Sequence, residues 1–410
     1  MKNKLIIISL IGLLAIGCNT NTMVKVNGVK DPLIISDSTK FSQAVFLTND
    51  NNGNPVVAWS MAATDSGQYK LVYRRFDKES MTFENVLKVE ETLGMQAHHE
   101  SMAKVGFKRN GDIMAVYRRE DKESSRRFAG NIFYTESSDA GKSWSEERKL
   151  VEDSTSASQS FYDVDRLGNG ELGVTWLDSR RLEQKEGSSI FFNQTSANGG
   201  FVGETGILGS TCQCCRTELN VSMDGKLDIA FRDIINDSIR DMVHTYSLDN
   251  GKTFSPGKRI SNDNWIINGC PHTGPTIATN DTKRAVAWFT MGGGKGVYFT
   301  LGENSEDTSP DRILIDAKAL HPQMVWNGSS FALAYELVGL NDGKKYRQIV
   351  ISFIDENGSI LETRKISPDG EDSLMPVLRV INDDYLLISW VRQNDQNKSL
   401  IMAKIIATDH

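Results

Sequence analysis

Short apolar runs that end in an aromatic residue recur along the chain. They are PVVAW, IMAVY, LGVTW, LDIAF, AVAW, FALAY and LLISW, ending at Trp59, Tyr117, Trp176, Phe231, Trp288, Tyr335 and Trp390. Successive aromatics are 58, 59, 55, 57, 47 and 55 residues apart. A turn signal such as Asn110-Gly111 or Asp224-Gly225 precedes these runs, and another strand-like segment precedes the turn. The pattern predicts seven copies of one unit built from β-hairpins.

Further strand-like segments follow each aromatic. A third strand recurs as NIFYTES, SIFFNQT, DMVHTYS, GVYFTLG, IVISFID and LIMAKII, and a fourth follows in most units, as in RKLVE, KRISND and RILIDA. Four short strands per repeat are typical of a β-propeller blade. No sustained 3.6-residue period appears, so no substantial helix is expected. We therefore predict an all-β fold, a seven-bladed β-propeller formed by residues 31–410 as a single domain, with a six-bladed ring as the alternative.

The last repeat stops after its third strand, LIMAKIIA. The segment DPLIISD, residues 31–37, is the simplest source of the missing fourth strand. Strands from both ends of the chain would then share one blade and close the ring.

The first residues have the pattern of an export signal. Lys2 and Lys4 flank the start of an apolar run, residues 5–16, that is too short for a stable membrane anchor. The run ends in Ala-Ile-Gly-Cys, which resembles the bacterial lipobox, and this resemblance implies acylation of Cys18. We expect a signal peptide at 1–17, a tether at 18–30 and a lipid-anchored protein of the bacterial envelope, periplasmic or surface-exposed; an ordinary cleaved signal is the alternative.

Charge bears on the choice of partner. The formal net charge is −7, and removing residues 1–17 with their two lysines leaves −9. Nucleic acid is therefore not an expected partner. We expect a monomer.

Two stretches fit the pattern Ser-x-Asp-x-Gly-x-x-aromatic. Their defining residues are Ser137, Asp139, Gly141 and Trp144 in the first, and Ser247, Asp249, Gly251 and Phe254 in the second. The pattern resembles the Asp-box, or BNR repeat, of the sialidase superfamily. Asp can accept backbone N–H bonds in a turn, Gly supplies a positive φ, and the aromatic packs into the blade. The resemblance implies that the boxes are structural and lie away from the substrate site.

The opposite end of the propeller is where first strands begin and second strands end. Metal-ligating side chains gather at these positions: His98, His99, Cys214, Cys215, Cys270, His272 and His321. No cofactor is certain from the sequence, but thiolates and imidazoles suit copper or zinc. The alternative is a set of disulfides among Cys212, Cys214, Cys215 and Cys270, because the compartment is expected to be oxidising.

Charged residues collect at the same end. Arg180, Arg216, Arg232 and Arg240 are candidates for clamping a carboxylate or sulfate, since guanidinium groups match such anions bidentately. Asp163, Asp178 and Asp233 are candidate general acids or bases, and Tyr162 is a candidate nucleophile of the kind that sialidases use. Salt bridges between blades are the alternative role of these charges.

The resemblance to sialidases implies an exo-acting glycosidase on sialylated or other acidic glycans. The sequence departs from that family, because it lacks an early Arg-Ile-Pro segment and has seven predicted blades where sialidases have six. It also resembles sialidase-like envelope proteins through CxCCR at 212–216 and GCPHxGP at 269–275. Function is therefore open between a glycosidase, a metal-site protein and a non-catalytic module that binds a glycan, peptide or envelope partner. Trp59, Phe161 and Tyr162 are candidates for sugar platforms or for blade packing, and packing is the favoured role for Trp59.

Overall fold

The computed structural model describes residues 24–25, 31–63, 67–126, 128–183, 186–269, 271–304, 311–341, 343–394 and 398–408. The expected signal peptide, Cys18 and most of the tether lie outside the described residues, as does Cys270. The signal peptide, the tether, the lipidation of Cys18 and the proposed roles of Cys270 therefore stay predictions. Among the described residues no helix is long and apolar enough to cross a membrane.

Strands account for nearly all the regular structure. The first two are β1 (Val24–Lys25) and β2 (Leu33–Ile34). Blade one contains β3 (Ser42–Asn49), β4 (Pro55–Ala62), β5 (Tyr69–Asp77), β6 (Thr82–Phe83) and β7 (Leu87–Val89). Blade two contains β8 (Lys104–Phe107), β9 (Ile113–Glu120), β10 (Gly130–Ser137) and β11 (Arg148–Lys149). Blade three contains β12 (Gln159–Arg166), β13 (Leu172–Asp178), β14 (Ser188–Gln194) and β15 (Thr205–Thr211).

The remaining blades repeat the arrangement. Blade four contains β16 (Glu218–Val221), β17 (Leu227–Arg232), β18 (Met242–Ser247) and β19 (Lys258–Arg259). Blade five contains β20 (Thr276–Thr279), β21 (Lys283–Thr290), β22 (Gly296–Glu303) and β23 (Ile313–Asp316). Blade six contains β24 (Ala319–Trp326), β25 (Phe331–Asn341), β26 (Lys344–Ile354) and β27 (Ile360–Lys365), and blade seven contains β28 (Asp372–Asn382), β29 (Tyr385–Gln393) and β30 (Ser399–Ala407). A single 3₁₀ turn at Glu90–Thr92 is the helical exception among the described residues.

Blade seven is completed by the N-terminal segment. Strand β2 pairs antiparallel with β30, opposing Leu33 to Ala403 and Ile34 to Met402. The sheet runs in the order β2, β30, β29, β28. Seven antiparallel sheets thus form the ring, which confirms the seven-bladed prediction and its closure, and the six-bladed alternative is wrong.

The recurrent aromatics hold neighbouring blades together. Trp59, Trp176, Trp288 and Trp390 have no exposed surface. Each packs against apolar residues of the preceding blade: Trp59 lies in one cluster with Leu387 of blade seven. Large aromatics contribute most to the burial of apolar surface, so this repeated contact accounts for the regular spacing found in the sequence.

The two Asp-boxes form the predicted turns between third and fourth strands. Asp139 accepts the backbone N–H groups of Lys142 and Ser143 at 3.0 and 2.9 Å, and its other oxygen accepts the Ser143 hydroxyl at 2.6 Å. In the second box, hydrogen bonds from the Thr253 N–H and hydroxyl hold the pKa of Asp249 down to about 2. Both turns lie at the end of the propeller opposite the starts of the first strands. These carboxylates are structural, as expected.

Gly251 tests the role of the box. Its φ is +81°, and an added Cβ would lie 2.0 Å from a ring carbon of Phe192. We expect Gly251→Ala to lower the free energy of unfolding by about 2–4 kcal/mol, combining left-handed strain with overpacking. Gly328→Ala is the matched control, because Gly328 has φ +99° but no atom within 4 Å of the added Cβ. Urea unfolding of both variants measures the difference, and equal losses would contradict the packing role.

Candidate functional site

Arg216 lies at the centre of the end where the first strands begin, which we call the mouth. It directly precedes β16 and its side chain is buried. Its guanidinium nitrogens lie 3.4 Å from Glu100 Oε1 and donate to the carbonyl oxygens of Pro275 and Pro322 at 3.1 and 3.4 Å. These partners belong to blades two, five and six. Arg216 therefore joins four blades across the axis and is not free to clamp a ligand.

Gly274 brings the two cysteine-containing motifs into contact. Its N–H donates to Glu100 Oε2 at 3.2 Å, so the same carboxylate accepts from both motifs. An added Cβ on Gly274 would lie 2.6 Å from both Cβ and the carbonyl oxygen of Arg216. A glycine is needed here because the backbone packs directly against Arg216.

Three aromatic rings lie together at the mouth. The ring centroid of His98 is 5.9 Å from that of Phe161 and 6.4 Å from that of His272. His98 and Phe161 are partly exposed and His272 is exposed. The Glu100 N–H donates to His98 Nδ1 at 3.1 Å, so the neutral ring carries its proton on Nε2. Burial lowers the pKa of His98, which favours this neutral form.

Backbone distortion presents several of these side chains. Phe161, His272 and His321 have φ values of +50°, +51° and +48°. In blades three and six the strand register shifts at these positions, as expected for β-bulges. Bulges of this kind redirect a side chain out of the regular alternation, and here they occur at the start of the innermost strands.

The surroundings of His321 and His99 shift the pKa values of the two imidazoles in opposite directions. His321 Nδ1 lies 3.0 Å from Oε1 of the fully buried Glu336, which also accepts the Met375 N–H at 2.6 Å. Burial pushes the pKa of His321 down, but the Glu336 carboxylate outweighs it and the pKa is raised. Burial, with the charge of His98, lowers the pKa of His99 to about 4.

Cys212, Cys214 and Cys215 form a compact thiol group. Cys212 Sγ lies 3.6 Å from Cys214 Sγ and 4.0 Å from Cys215 Sγ, and all three are buried free thiols. These separations exceed the S–S bond length of about 2.05 Å. No disulfide joins the described cysteines, and pairing with Cys270 stays a prediction.

The structure changes the set of residues that could bind a metal together. Among the described residues, the donor group lying within 4.8 Å consists of the three cysteines alone. The imidazoles of His98, His99, His272 and His321 are not part of that group. Cys212, which the sequence analysis treated only as a disulfide candidate, is the residue that the other two thiols share.

Arg180 and Asp178 form an internal charge network. Arg180 pairs with Asp153 at 3.2 Å, with Asp178 at 2.9 Å and with Glu204. Asp178 also accepts from the Ser156 hydroxyl and from the indole N–H of Trp176. Three carboxylates already surround this guanidinium, so the salt-bridge alternative describes Arg180 better than the anion clamp.

Arg232 and Arg240 are bonded chiefly to backbone carbonyls. Arg232 donates to the carbonyl oxygens of Arg240 and Phe289 at 2.9 and 2.8 Å, and Arg240 donates to Ile267 O at 3.1 Å. Asp233 accepts the Ser210 hydroxyl at 3.0 Å. These groups therefore stabilise blades four and five through internal hydrogen bonds. The structure does not bring the four arginines together as a clamp for an anion.

Tyr162 is not presented to a substrate. Its side chain is 1% exposed and packs in the cluster between blades two and three. Burial raises the pKa of Tyr162, so the hydroxyl is a poor nucleophile. The adjacent Asp163 turns inward, accepts the Leu219 N–H at 2.8 Å and lies 3.5 Å from Lys104 Nζ. The expected nucleophile and acid are thus separated from the mouth by packing.

A charged cavity lies beneath Arg216, and its charged lining residues were not predicted from the sequence. A cavity of about 460 Å³ is lined by Asp165, Glu218 and Arg379, among others. Burial raises the pKa of Glu218 to about 7 and that of Asp165 to about 6. A signal was present, because polar residues alternate along these inner strands, as in Asp163 and Asp165.

The comparisons with known proteins agree with this architecture. Residues 53–305 match the model described as a BNR repeat-like domain. The chain belongs to the BNR repeat-like family. No curated protein matches the chain.

Solved structures give the same fold at low identity. The polysaccharide lyase Uly1 is 12% identical, with 89% of this chain and 90% of that chain covered and a TM-score of 0.56. The Hadza microbial sialidase Hz136 is 13% identical, with 86% and 76% covered and a TM-score of 0.44. The Trypanosoma rangeli sialidase in complex with sialic acid is 12% identical, with 78% and 55% covered and a TM-score of 0.45. At these identities the likeness concerns the fold alone.

Removing the charge of Glu100 tests how much the Arg216–Glu100 ion pair contributes to stability. We expect Glu100→Gln to lower the free energy of unfolding by about 3 kcal/mol, since Arg216 keeps its buried charge with only Glu218, at 3.8 Å, as an ionic partner. Glu90→Gln is the matched control: it alters a pair with Lys70 whose Glu90 side chain is 61% exposed. That change should cost no more than about 1 kcal/mol. Comparable losses in urea unfolding would contradict a central role for Glu100.

The two partly buried imidazoles His321 and His99 should titrate in opposite directions from the ordinary value of about 6.5. NMR titration of the ring nitrogens should find His321 protonated to higher pH and His99 neutral down to pH about 4. A raised folded-state pKa means that the His321–Glu336 pair stabilises fully below pH about 6.5 and is lost as pH rises through the folded pKa. Glu336→Gln should lower the His321 midpoint, and an unchanged midpoint would rule out Glu336 as the cause.

Proposed function

We propose that this protein binds an acidic glycan at the mouth of the propeller and does not hydrolyse it as a sialidase would. The observation that carries the proposal is the ring group His98, Phe161 and His272. Flat rings at the end of a propeller offer surfaces against which a sugar ring can pack. The exposed polar atoms beside them decide which sugars fit best.

The accessible polar groups of the mouth are mainly donors. His98 Nδ1 is occupied by the Glu100 N–H, which leaves its Nε2–H as a donor. His321 contacts Glu336 through Nδ1, and in its protonated form Nε2 also carries a hydrogen. The carboxylates Glu100 and Glu336 are 2% and 0% exposed, so they do not repel a ligand at the surface directly. Donors above buried acceptors favour a ligand rich in acceptors, such as a uronate or a sulfated sugar.

Hydrolysis by the sialidase mechanism has no such support. The arginines expected to hold the carboxylate are bonded to Glu100, to Asp178 and its neighbours, or to backbone carbonyls. Tyr162 is enclosed between blades. The polysaccharide lyase that shares the fold is consistent with a polymeric ligand, but the proposal rests on the mouth residues. Lipid anchoring through Cys18, also proposed, would hold the protein at a membrane surface.

Binding assays with defined polymers test the proposal. Isothermal titration calorimetry of the full chain should detect polygalacturonate or chondroitin sulfate and should not detect neutral dextran. His98→Ala combined with His272→Ala should weaken binding at least about tenfold, equivalent to the loss of one good contact. Lys142→Ala, an exposed change in the Asp-box at the opposite end, should leave affinity unchanged.

Three outcomes would contradict the proposal. They are no binding of either acidic polymer, equal binding of dextran, and enzymatic release of sialic acid from sialyllactose. The last result would restore the glycosidase hypothesis.

A further inference from the structure

We propose that Cys212, Cys214 and Cys215 form a three-thiolate site for a soft monovalent metal ion, copper(I), at the rim of the mouth. The site is distinct from the proposed glycan contacts, which use His98, Phe161 and His272. It accounts for a motif that the proposed function leaves unused.

The spacing of the sulfur atoms fits a shared metal ion. Sulfur ligands on a metal at about 2.3 Å are about 3.8 Å apart in a tetrahedral arrangement and about 4.0 Å apart in a trigonal one. The observed separations from Cys212 Sγ are 3.6 and 4.0 Å, and all three sulfur atoms lie within 4.8 Å of one another. A metal can thus be bound after movements of the side chains of less than about 1 Å.

The backbone fixes this geometry from both sides of the loop. The Cys212 N–H donates to the Arg232 carbonyl at 2.8 Å, and Thr211 pairs with Asp233 in an isolated β-bridge. Four residues after Cys212, Arg216 is held by Glu100 and two carbonyl oxygens. The chain between these anchors is short, so the three thiols cannot separate without disturbing blades three and four.

The donor set selects the class of metal. All three sulfur atoms belong to residues that are at most 6% exposed, and the group contains no oxygen or nitrogen donor among the described residues. Zinc in structural sites takes four ligands in a tetrahedron. Three buried thiolates, with no fourth donor in the described part of the chain, suit copper(I), which is soft and accepts low coordination numbers.

Two guanidinium groups can balance the charge of the loaded site. Three thiolates with one copper(I) ion carry a net charge of −2. Arg240 is close enough to Cys212, and Arg232 to Cys215, for each positive charge to act on the sulfur atom, although burial raises the pKa of Cys215. Arg240 Nη1 and Arg232 Nε are buried and make no hydrogen bond within the described part of the chain. Thiolate sulfur is an acceptor of the kind that these donors lack.

Direct metal binding tests the inference. The full chain, reduced and handled without oxygen, is titrated with copper(I) in competition with a chromogenic copper(I) chelator. One copper per chain is expected, with three sulfur atoms and no nitrogen in the first shell by X-ray absorption. Each of Cys212→Ser, Cys214→Ser and Cys215→Ser should lower affinity by about 100-fold or more, exceeding the usual effect of second-shell changes. His98→Gln is the control and should bind copper(I) as the unmodified chain does.

Several results would overturn the inference. Copper(I) affinity that survives replacement of all three cysteines would place the ion elsewhere. A first shell containing nitrogen, or tighter binding of Zn²⁺ through the same cysteines, would reject the three-thiolate copper(I) assignment. Failure of thiol titration in denaturant to find these cysteines reduced in freshly isolated protein would favour a disulfide. The spectrum of the unmodified chain decides the ligand set even if a serine variant does not fold, and none of these readouts depends on glycan binding.

Discussion

The structure depends on one buried guanidinium at the propeller axis. Seven blades can pack side by side through their recurrent aromatic residues, but that contact is repeated and does not distinguish one blade from another. Arg216 does, because its partners Glu100, Pro275 and Pro322 come from three specific blades. A buried ion pair gives little net stability after desolvation, yet it is costly to break. The Arg216–Glu100 ion pair therefore acts mainly by fixing which loops meet at the propeller axis.

This arrangement determines what chemistry remains accessible at the mouth. Where an inner strand is shorter than its neighbour, carbonyl groups lack ladder partners and arginines satisfy them. Strand β20 pairs with β21 only as far as Ala287, and Arg232 donates to the carbonyl of Phe289. A guanidinium used in this way is no longer available to an anion from solution. Imidazoles and the Phe161 ring are left at the surface, with the carboxylates that orient them buried beneath. The mouth is consequently better suited to recognising a ligand than to the carboxylate and tyrosine chemistry of a sialidase.

Much of the fold could be predicted because its signals are local. Each blade repeats an alternating strand, a turn and a buried aromatic, and the incomplete last repeat indicated that β2 would close the ring. The site could be predicted only as a region. Tyr162 illustrates the reason: strand alternation does not reveal the register shift between Ser160 and Asp163, which puts Phe161 at the mouth and Tyr162 in the core. The pairing of Arg216 with Glu100 joins residues 116 positions apart, and no local pattern encodes it.

The two proposed binding sites are connected by adjacent backbone and packing contacts. Cys215 is covalently adjacent to Arg216, whose backbone and Cβ are in contact with Gly274, and His272 is two residues before that glycine. A change at the thiols can reach the imidazoles by two contiguous routes. One runs through Arg216 and its carboxylate partner, and the other through Phe161, which packs against the three cysteines and lies beside the His98 ring. Close packing around Gly274 leaves Arg216 little room for a second arrangement. The geometry therefore favours two adjacent sites on one rigid support, in contact through the Phe161 ring.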